Sequence, residues 1–160
     1  MSEDLESKIV HWLAQHGQTL SVAESCTGGY LAHRLTNVPG ASAIFTTGFV
    51  TYSNEAKQRL LGVRPETLAR HGAVSEPVAR EMAEGARHAA RTDYAIATTG
   101  IAGPGGGTPE MPVGTVFIGV ATREKTVVLR QFNPGERLAF KEITSDQALK
   151  QLEKLLAASH

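Results

Sequence analysis

The stretch Ala23-Glu24-Ser25-Cys26-Thr27-Gly28-Gly29 constrains this chain more than any other. It follows the apolar run Leu20-Ser21-Val22-Ala23 and precedes Tyr30-Leu31-Ala32-His33-Arg34-Leu35. The first run reads as a short buried strand and the second as a helix, so the stretch between them is a strand-to-helix turn. The first turn of a helix leaves backbone N–H groups without internal partners, and two glycines let a ligand come close to that backbone. A serine beside such donors suits two tasks: holding an anion, or attacking a carbonyl whose oxygen the donors stabilise. Taken alone, the turn is more readily an ordinary helix start with flexible glycines. The weight therefore falls on what surrounds it.

The rest of the chain alternates in the same manner. Leu5, Ile9, Trp12 and Leu13 recur at helical spacing over residues 3–16, with Gly17 as a stop. Residues 19–23 form the first strand and 27–36 the helix after the turn. Asn37-Val38-Pro39-Gly40 breaks the chain, and 41–45 make a short helical turn. The β-rich run 46–52 is a second strand. Ser53 or Asn54 caps a helix that ends at Gly62, and Pro65 starts a short one that ends at His71-Gly72. Ser75-Glu76-Pro77 opens a longer helix to about residue 91. Residues 94–99 are a third strand. Residues 100–112 hold five glycines and three prolines without periodicity, and a loop of that length inside a folded unit is more often functional than idle. Two β runs, 114–122 and 126–132, read as a hairpin, and 136–158 as a long final helix. Strands separated by helices argue parallel crossovers. The expectation is an α/β fold: a three-layer α/β/α sandwich around a mixed, mostly parallel five-stranded sheet, one domain over 1–160.

Composition narrows the function classes. Lys plus Arg and Asp plus Glu each number 16, so no global field draws nucleic acid or an anionic membrane. No apolar run approaches the ~20 residues of a membrane span, and the acidic start Met1-Ser2-Glu3-Asp4 lacks a signal-peptide core. One cysteine cannot form an internal disulfide, which fits a cytoplasmic protein. The six histidines have no HExxH or CxxC companion, so no metal site is expected.

In sheets of this kind ligands bind beyond the carboxyl ends of the parallel strands. Those ends are Ser25, Tyr52 and Thr99. Ser25 needs a base, because a free hydroxyl is a weak nucleophile. No Ser-His-Asp pattern and no G-x-S-x-G elbow is present. Lys57, early in the helix after Tyr52, can face the same rim. A nearby helix N-terminus and partial burial both favour its neutral amine. Against this stands an ordinary solvated lysine. Cys26 is a rival nucleophile, but adjacent strand residues point to opposite sides, and a buried thiol is the simpler role. His71 is a possible base, more simply a partner of its own helix end. The loop Gly100-Ile101-Ala102-Gly103-Pro104-Gly105-Gly106-Gly107 lacks the GK[ST] of an ATP-type loop, so it reads as a wall or lid. Arg137 could clamp a phosphate with two parallel hydrogen bonds.

Several of these stretches together resemble one family. Ala23–Gly29 is joined by Pro39-Gly40-Ala41-Ser42 and by Gly48-Phe49-Val50-Thr51-Tyr52-Ser53-Asn54-Glu55-Ala56-Lys57. His71-Gly72-Ala73-Val74-Ser75-Glu76, Thr99-Gly100-Ile101-Ala102-Gly103-Pro104-Gly105-Gly106 and Pro112-Val113-Gly114-Thr115-Val116 follow in order. The chain thereby resembles the CinA C-terminal family over roughly residues 20–156. The resemblance implies a nicotinamide-nucleotide amidase, which hydrolyses the carboxamide of nicotinamide mononucleotide to nicotinate mononucleotide and ammonia in pyridine nucleotide salvage. It implies Ser25, Tyr52 and Lys57 as catalytic residues. Thr27, Gly28, Gly29, Ser42, Thr99, Gly100 and Arg137 would be substrate-binding. No metal or cofactor, a homodimer and a stand-alone member without the N-terminal pyrophosphatase-like domain are implied as well. The chain departs from the family at Met111, often Lys, at Glu136, often Asp, and at Lys141, often Arg. Two other readings share this pocket: a nucleotide-binding domain without turnover, and an amidase for a different small amide.

Overall fold

The computed structural model describes residues 3–159. Its sheet contains β1 (Leu20–Glu24), β2 (Gly48–Val50), β3 (Tyr94–Gly100), β4 (Thr115–Ala121) and β5 (Thr126–Phe132), in the order β2-β1-β3-β4-β5. β1 pairs parallel with β2 and β3, while β4 runs antiparallel to both β3 and β5. Four of the five strands therefore point one way and only β4 opposes them, which gives the mixed, mostly parallel sheet that the alternation predicts. The helices are α1 (Leu5–His16), α2 (Tyr30–Thr36), α3 (Asn54–Leu61), α4 (Pro65–His71), α5 (Glu76–Ala90) and α6 (Arg137–Ser159), with a 3-10 turn at Ala41–Ala43.

Local chemistry sets most boundaries. Asp4 caps α1 by accepting from Ser7 N–H at 2.9 Å, and Gly17 ends it in the left-handed conformation. Ser53 caps α3 through Ala56 N–H, and Gly62 ends it. Ser75 caps α5, with Pro77 in its first turn. Two expected elements differ. The helix expected from residue 27 starts at Tyr30, because Gly28 (φ 55°) and Gly29 (φ 102°) are left-handed and cannot propagate a right-handed helix. The second strand shrinks from 46–52 to Gly48–Val50, since it lies at the sheet edge and pairs only with β1.

The two sheet faces follow from strand alternation. Leu20, Val22, Ile96, Ile118 and Val120 pack with α1, α2 and α6 in one core. Ala23, Ala95, Ala97 and Ala121 pack with α3, α4 and α5 in the other. The second core is lined by small residues, so its helices lie close. Gly85 of α5 shows how close: a Cβ there would stand 1.9 Å from the Leu61 carbonyl oxygen. That contact sets α3 against α5 and so fixes where α3 carries Lys57. On the other face, Arg34 of α2 donates to both carboxylate oxygens of Glu6 at 2.9 Å and also reaches Asp146 of α6. One guanidinium thus ties three helices together. Among the described residues no helix is long and apolar enough to cross a membrane.

Candidate active site

The parity of β1 decides what surrounds Ser25. Residues 21, 23 and 25 point to the α3–α5 face, and residues 20, 22 and 24 point to the α2 face. Lys57 comes to meet Ser25 from the first of these faces. Its Nζ donates to Ser25 Oγ at 3.0 Å and to the Thr51 carbonyl at 2.8 Å. The side chain is only 1% exposed. Burial pushes the Lys57 amine below the ordinary lysine value, because desolvation disfavours the ammonium, and the buried Cys26 opposes this only in part. Among the described residues no carboxylate pairs with it. A buried lysine of lowered pKa, within hydrogen-bond reach of a serine hydroxyl, is the geometry of a nucleophile beside its base.

Cys26 turns the other way, into the α1–α2–α6 core. Desolvation pushes its thiol up to about 12, so it is no thiolate at neutral pH. The two adjacent candidates are separated by backbone direction alone.

The cleft in front of Ser25 has a volume of about 280 Å³ and is lined by Ser25, Cys26, Tyr52, Asn54, Lys57, Ala73, Val74, residues 99–103, Gly105, Gly106 and Arg137. A larger open groove of about 820 Å³ lies at the other end of the sheet, around Arg87, Arg123 and Lys125. It contains Glu81, Glu84 and Glu124 among its cations and no Ser–Lys pair. Among the described residues no three His, Cys, Asp or Glu side chains gather where a metal ion could sit.

The other expected site residues divide. Thr99, Gly100 and Arg137 line the cleft. The Thr99 hydroxyl is engaged with the Ala73 carbonyl at 2.8 Å, so it ties two walls together. Arg137, first residue of α6, donates to the Gly103 carbonyl and, at 3.2 Å, to the Tyr52 hydroxyl. Tyr52 is 63% exposed and stands on the rim with Arg137. Its hydroxyl therefore meets the candidate clamp and not the Ser25–Lys57 pair. Gly28 and Gly29 are not among the residues that line the cleft; a Cβ on them would meet Lys141 Nζ and Val50 respectively. Thr27 faces inward and is fully buried; its hydroxyl donates to Glu24 Oε1 at 2.6 Å and lies 2.8 Å from Thr98 Oγ1. It has no side-chain atom to offer a ligand. Ser42 sits in the 3-10 turn whose next residue, Ile44, accepts from Leu20 N–H at the start of β1. Within one chain that is the opposite end of the strand from Ser25, about 16 Å away along the chain. His71 is exposed at the end of α4 and does not line the cleft.

The donors of the turn also need correction. The free N–H groups expected at the helix start are largely occupied, because Glu24 reaches across and accepts from Leu31 N–H at 2.9 Å and Ala32 N–H at 3.0 Å. Ser25 N–H goes to the Thr98 carbonyl, and Gly28 N–H to Ser25. Among the described residues the turn keeps Cys26, Thr27 and Gly29 N–H without a backbone acceptor on another residue. The sequence reading passed over Glu24. The signal was the same alternation that turns Ser25 outward: it turns the preceding carboxylate toward α2.

Residues 2–156 match the family model described as the CinA C-terminal domain. The chain belongs to this family. A CinA-like protein of Chloroherpeton thalassium is 55% identical over 160 residues, covering 97% of this chain and 38% of that protein. A CinA-like protein of Chlorobaculum tepidum is 60% identical over 119 residues, 74% of this chain and 28% of that protein. The CinA domain described here thus spans about two fifths or less of these curated relatives. Solved structures match it more evenly. The competence/damage inducible protein CihA from Agrobacterium tumefaciens superposes with a TM-score of 0.92 at 40% identity, covering 97% of this chain and 99% of that one. A competence-damaged protein (CinA) superfamily member from Escherichia coli gives 0.91 at 37%, covering 96% and 89%. The CinA fold, with its Ser25 turn at the C-terminal end of β1, is therefore the fold of this chain.

Proposed function

We propose that this CinA-family domain is a serine amidase that hydrolyses the carboxamide of nicotinamide mononucleotide. The observation that carries the reading is Lys57 Nζ, buried and with its pKa lowered by desolvation, 3.0 Å from Ser25 Oγ in the lining of a cleft. In this reading Ser25 Oγ attacks the carboxamide carbon while Lys57 takes its proton. The tetrahedral intermediate collapses as its C–N bond breaks, and Lys57 returns the proton to the departing ammonia. Water then attacks the acyl ester, giving a proton to Lys57. Ser25 recovers that proton as the ester C–O bond breaks, and nicotinate mononucleotide leaves. Cys26 N–H, which follows the nucleophile and has no backbone acceptor on another described residue, is in this reading the donor for the oxyanion. Arg137 takes the phosphate, and Tyr52 orients Arg137. In this reading the domain acts as a cytoplasmic homodimer in pyridine nucleotide salvage, as the family resemblance implies.

Ammonia release from nicotinamide mononucleotide by purified protein tests the reading, with free nicotinamide as control. Release that depends on the nucleotide supports it. Nucleotide binding without release leaves the domain as a binding module, and release from another small amide alone redirects the substrate assignment.

A further inference from the structure

Glu24 is fully buried, yet among the described residues its carboxylate meets only neutral donors: the Thr27 hydroxyl and the N–H groups of Leu31 and Ala32. Taking a carboxylate out of water costs several kcal/mol unless its partners are well placed. For the helix alone a simpler solution exists. Ser, Thr or Asp at the N-cap would satisfy the same donors locally, whereas here the N-cap is Gly29, with φ 102° and no side-chain bond. The cap has been moved upstream, onto the residue that precedes Ser25.

The consequence is geometric. Glu24 closes residues 24–32 into a ring through its own carboxylate, and Ser25 lies on that ring. The backbone of Glu24 is fixed too: its carbonyl accepts from Thr51 N–H at 2.8 Å, and the Thr51 carbonyl accepts from Lys57 Nζ. Thr27 carries the carboxylate's hold to Thr98 of β3, whose own carbonyl accepts from Ser25 N–H. Nucleophile and base are therefore referred to one anchoring residue from both sides. The same contacts occupy the α2 donors and leave Cys26 N–H, beside Ser25, without a backbone acceptor on another described residue.

We infer that Glu24, acting with Thr27, is a positioning residue that holds Ser25 Oγ in attacking register with Lys57 and the N–H of Cys26. This rests on the Ser25–Lys57 reading above. Glu24→Gln keeps the shape but sets an amide NH2 against backbone N–H donors. Thr27→Val removes the hydroxyl at equal volume, and Thr27→Ser restores it.

Two readouts decide the matter. The first is the rate at which a fluorophosphonate probe modifies Ser25, which needs no amide substrate. The second is kcat and KM on nicotinamide mononucleotide. Labelling and kcat of Glu24→Gln and Thr27→Val are expected to fall about 10- to 100-fold. KM should stay within about two-fold, and Thr27→Ser should recover most of the loss. Circular dichroism and the thermal transition establish that each variant is folded at the assay temperature. If Glu24→Gln does not fold, the Thr27 pair decides alone. Wild-type labelling and kcat in variants that merely melt earlier would reduce Glu24 to a helix cap and overturn the inference. Labelling of wild-type Ser25 without nucleotide hydrolysis would remove the substrate reading while the labelling rates still judge Glu24. Wild-type protein that is never labelled at Ser25 would overturn both.

Discussion

Lys57 Nζ lies 3.0 Å from Ser25 Oγ, although the two residues are 32 positions apart in sequence and on different elements of the fold. One side chain enters from the end of β1 and the other from the first turn of α3, and both are buried. The consequences of this pairing, and of the contacts that frame it, can be measured.

The proposed function makes Ser25, and not its neighbour, the nucleophile. Ser25→Ala should lower kcat by about three orders of magnitude or more, with nucleotide binding nearly intact. Cys26→Ala should keep kcat within about three-fold and cost about 1 kcal/mol of stability, as a typical buried truncation. With its thiol pushed up to about 12, Cys26 should resist iodoacetamide in the folded protein. Rapid alkylation at neutral pH together with loss of turnover would give the role to Cys26.

Lys57 should reveal itself through pH. Its folded pKa lies below the ordinary lysine value of 10.5, so within that interval the unfolded chain binds more protons. Wild-type stability relative to Lys57→Met should therefore rise with pH across the interval, and kcat should rise through the same lowered ionisation. Below the interval the folded protein bears the full cost of a buried ammonium. Lys57→Arg cannot lose its proton and should be as inactive as Lys57→Met. Urea midpoints that run parallel for wild type and Lys57→Met up to pH 10.5, or substantial turnover by Lys57→Arg, would refute the base assignment.

Arg137 is a test of the substrate's anionic end. Arg137→Ala should raise KM for the nucleotide about 10- to 150-fold, the equivalent of losing a charge-assisted bond of about 1.5–3 kcal/mol. Activity on free nicotinamide should be unchanged. Equal losses on both substrates would make Arg137 a support for Gly103 and Tyr52, its present partners.

The wall of the cleft depends on a glycine. At Gly103 φ is 79° and an added Cβ would stand 2.3 Å from Val113 Cγ1. Gly103→Ala must strain the backbone or push Val113 aside, at a cost of about 1–3 kcal/mol. The loop that supplies the Arg137 acceptor should loosen, with a raised KM and faster proteolysis between 100 and 112. A variant with wild-type KM and proteolytic pattern would show that the loop tolerates the side chain.

The Arg34–Glu6 pair should give the opposite pH signature to Lys57. The Arg34 hydrogen bonds hold the Glu6 carboxyl below its ordinary value, so its stabilisation is complete above that value and is lost as pH falls through the lowered one. Glu6→Gln should cost about 1.5–3 kcal/mol at neutral pH, and the difference should vanish in acid. Chemical denaturation at several pH values checks this, and a gap that persists in acid would contradict it.

The sequence by itself determined most of the elements and singled out Ser25 and Lys57 as the candidate pair. Strand and helix periods, caps such as Ser53 and Ser75, and stops such as Gly17 and Gly62 act within a few residues, so a local reading finds them. The alternation along β1 already separates Ser25 from Cys26. Tertiary structure decided the partners. That Tyr52 meets Arg137, that Thr27 turns inward to Glu24, and that Ser42 lies at the far end of β1 depend on contacts between distant segments. The donors of α2 looked free because their acceptor, Glu24, lies seven and eight residues upstream, beyond the reach of capping rules written for adjacent positions. The edge position of β2, which shortened it to three residues, likewise follows from strand order and not from composition. Backbone conformation answers mainly to near neighbours, whereas the direction and satisfaction of a polar side chain answer to whatever the fold brings within 3 Å.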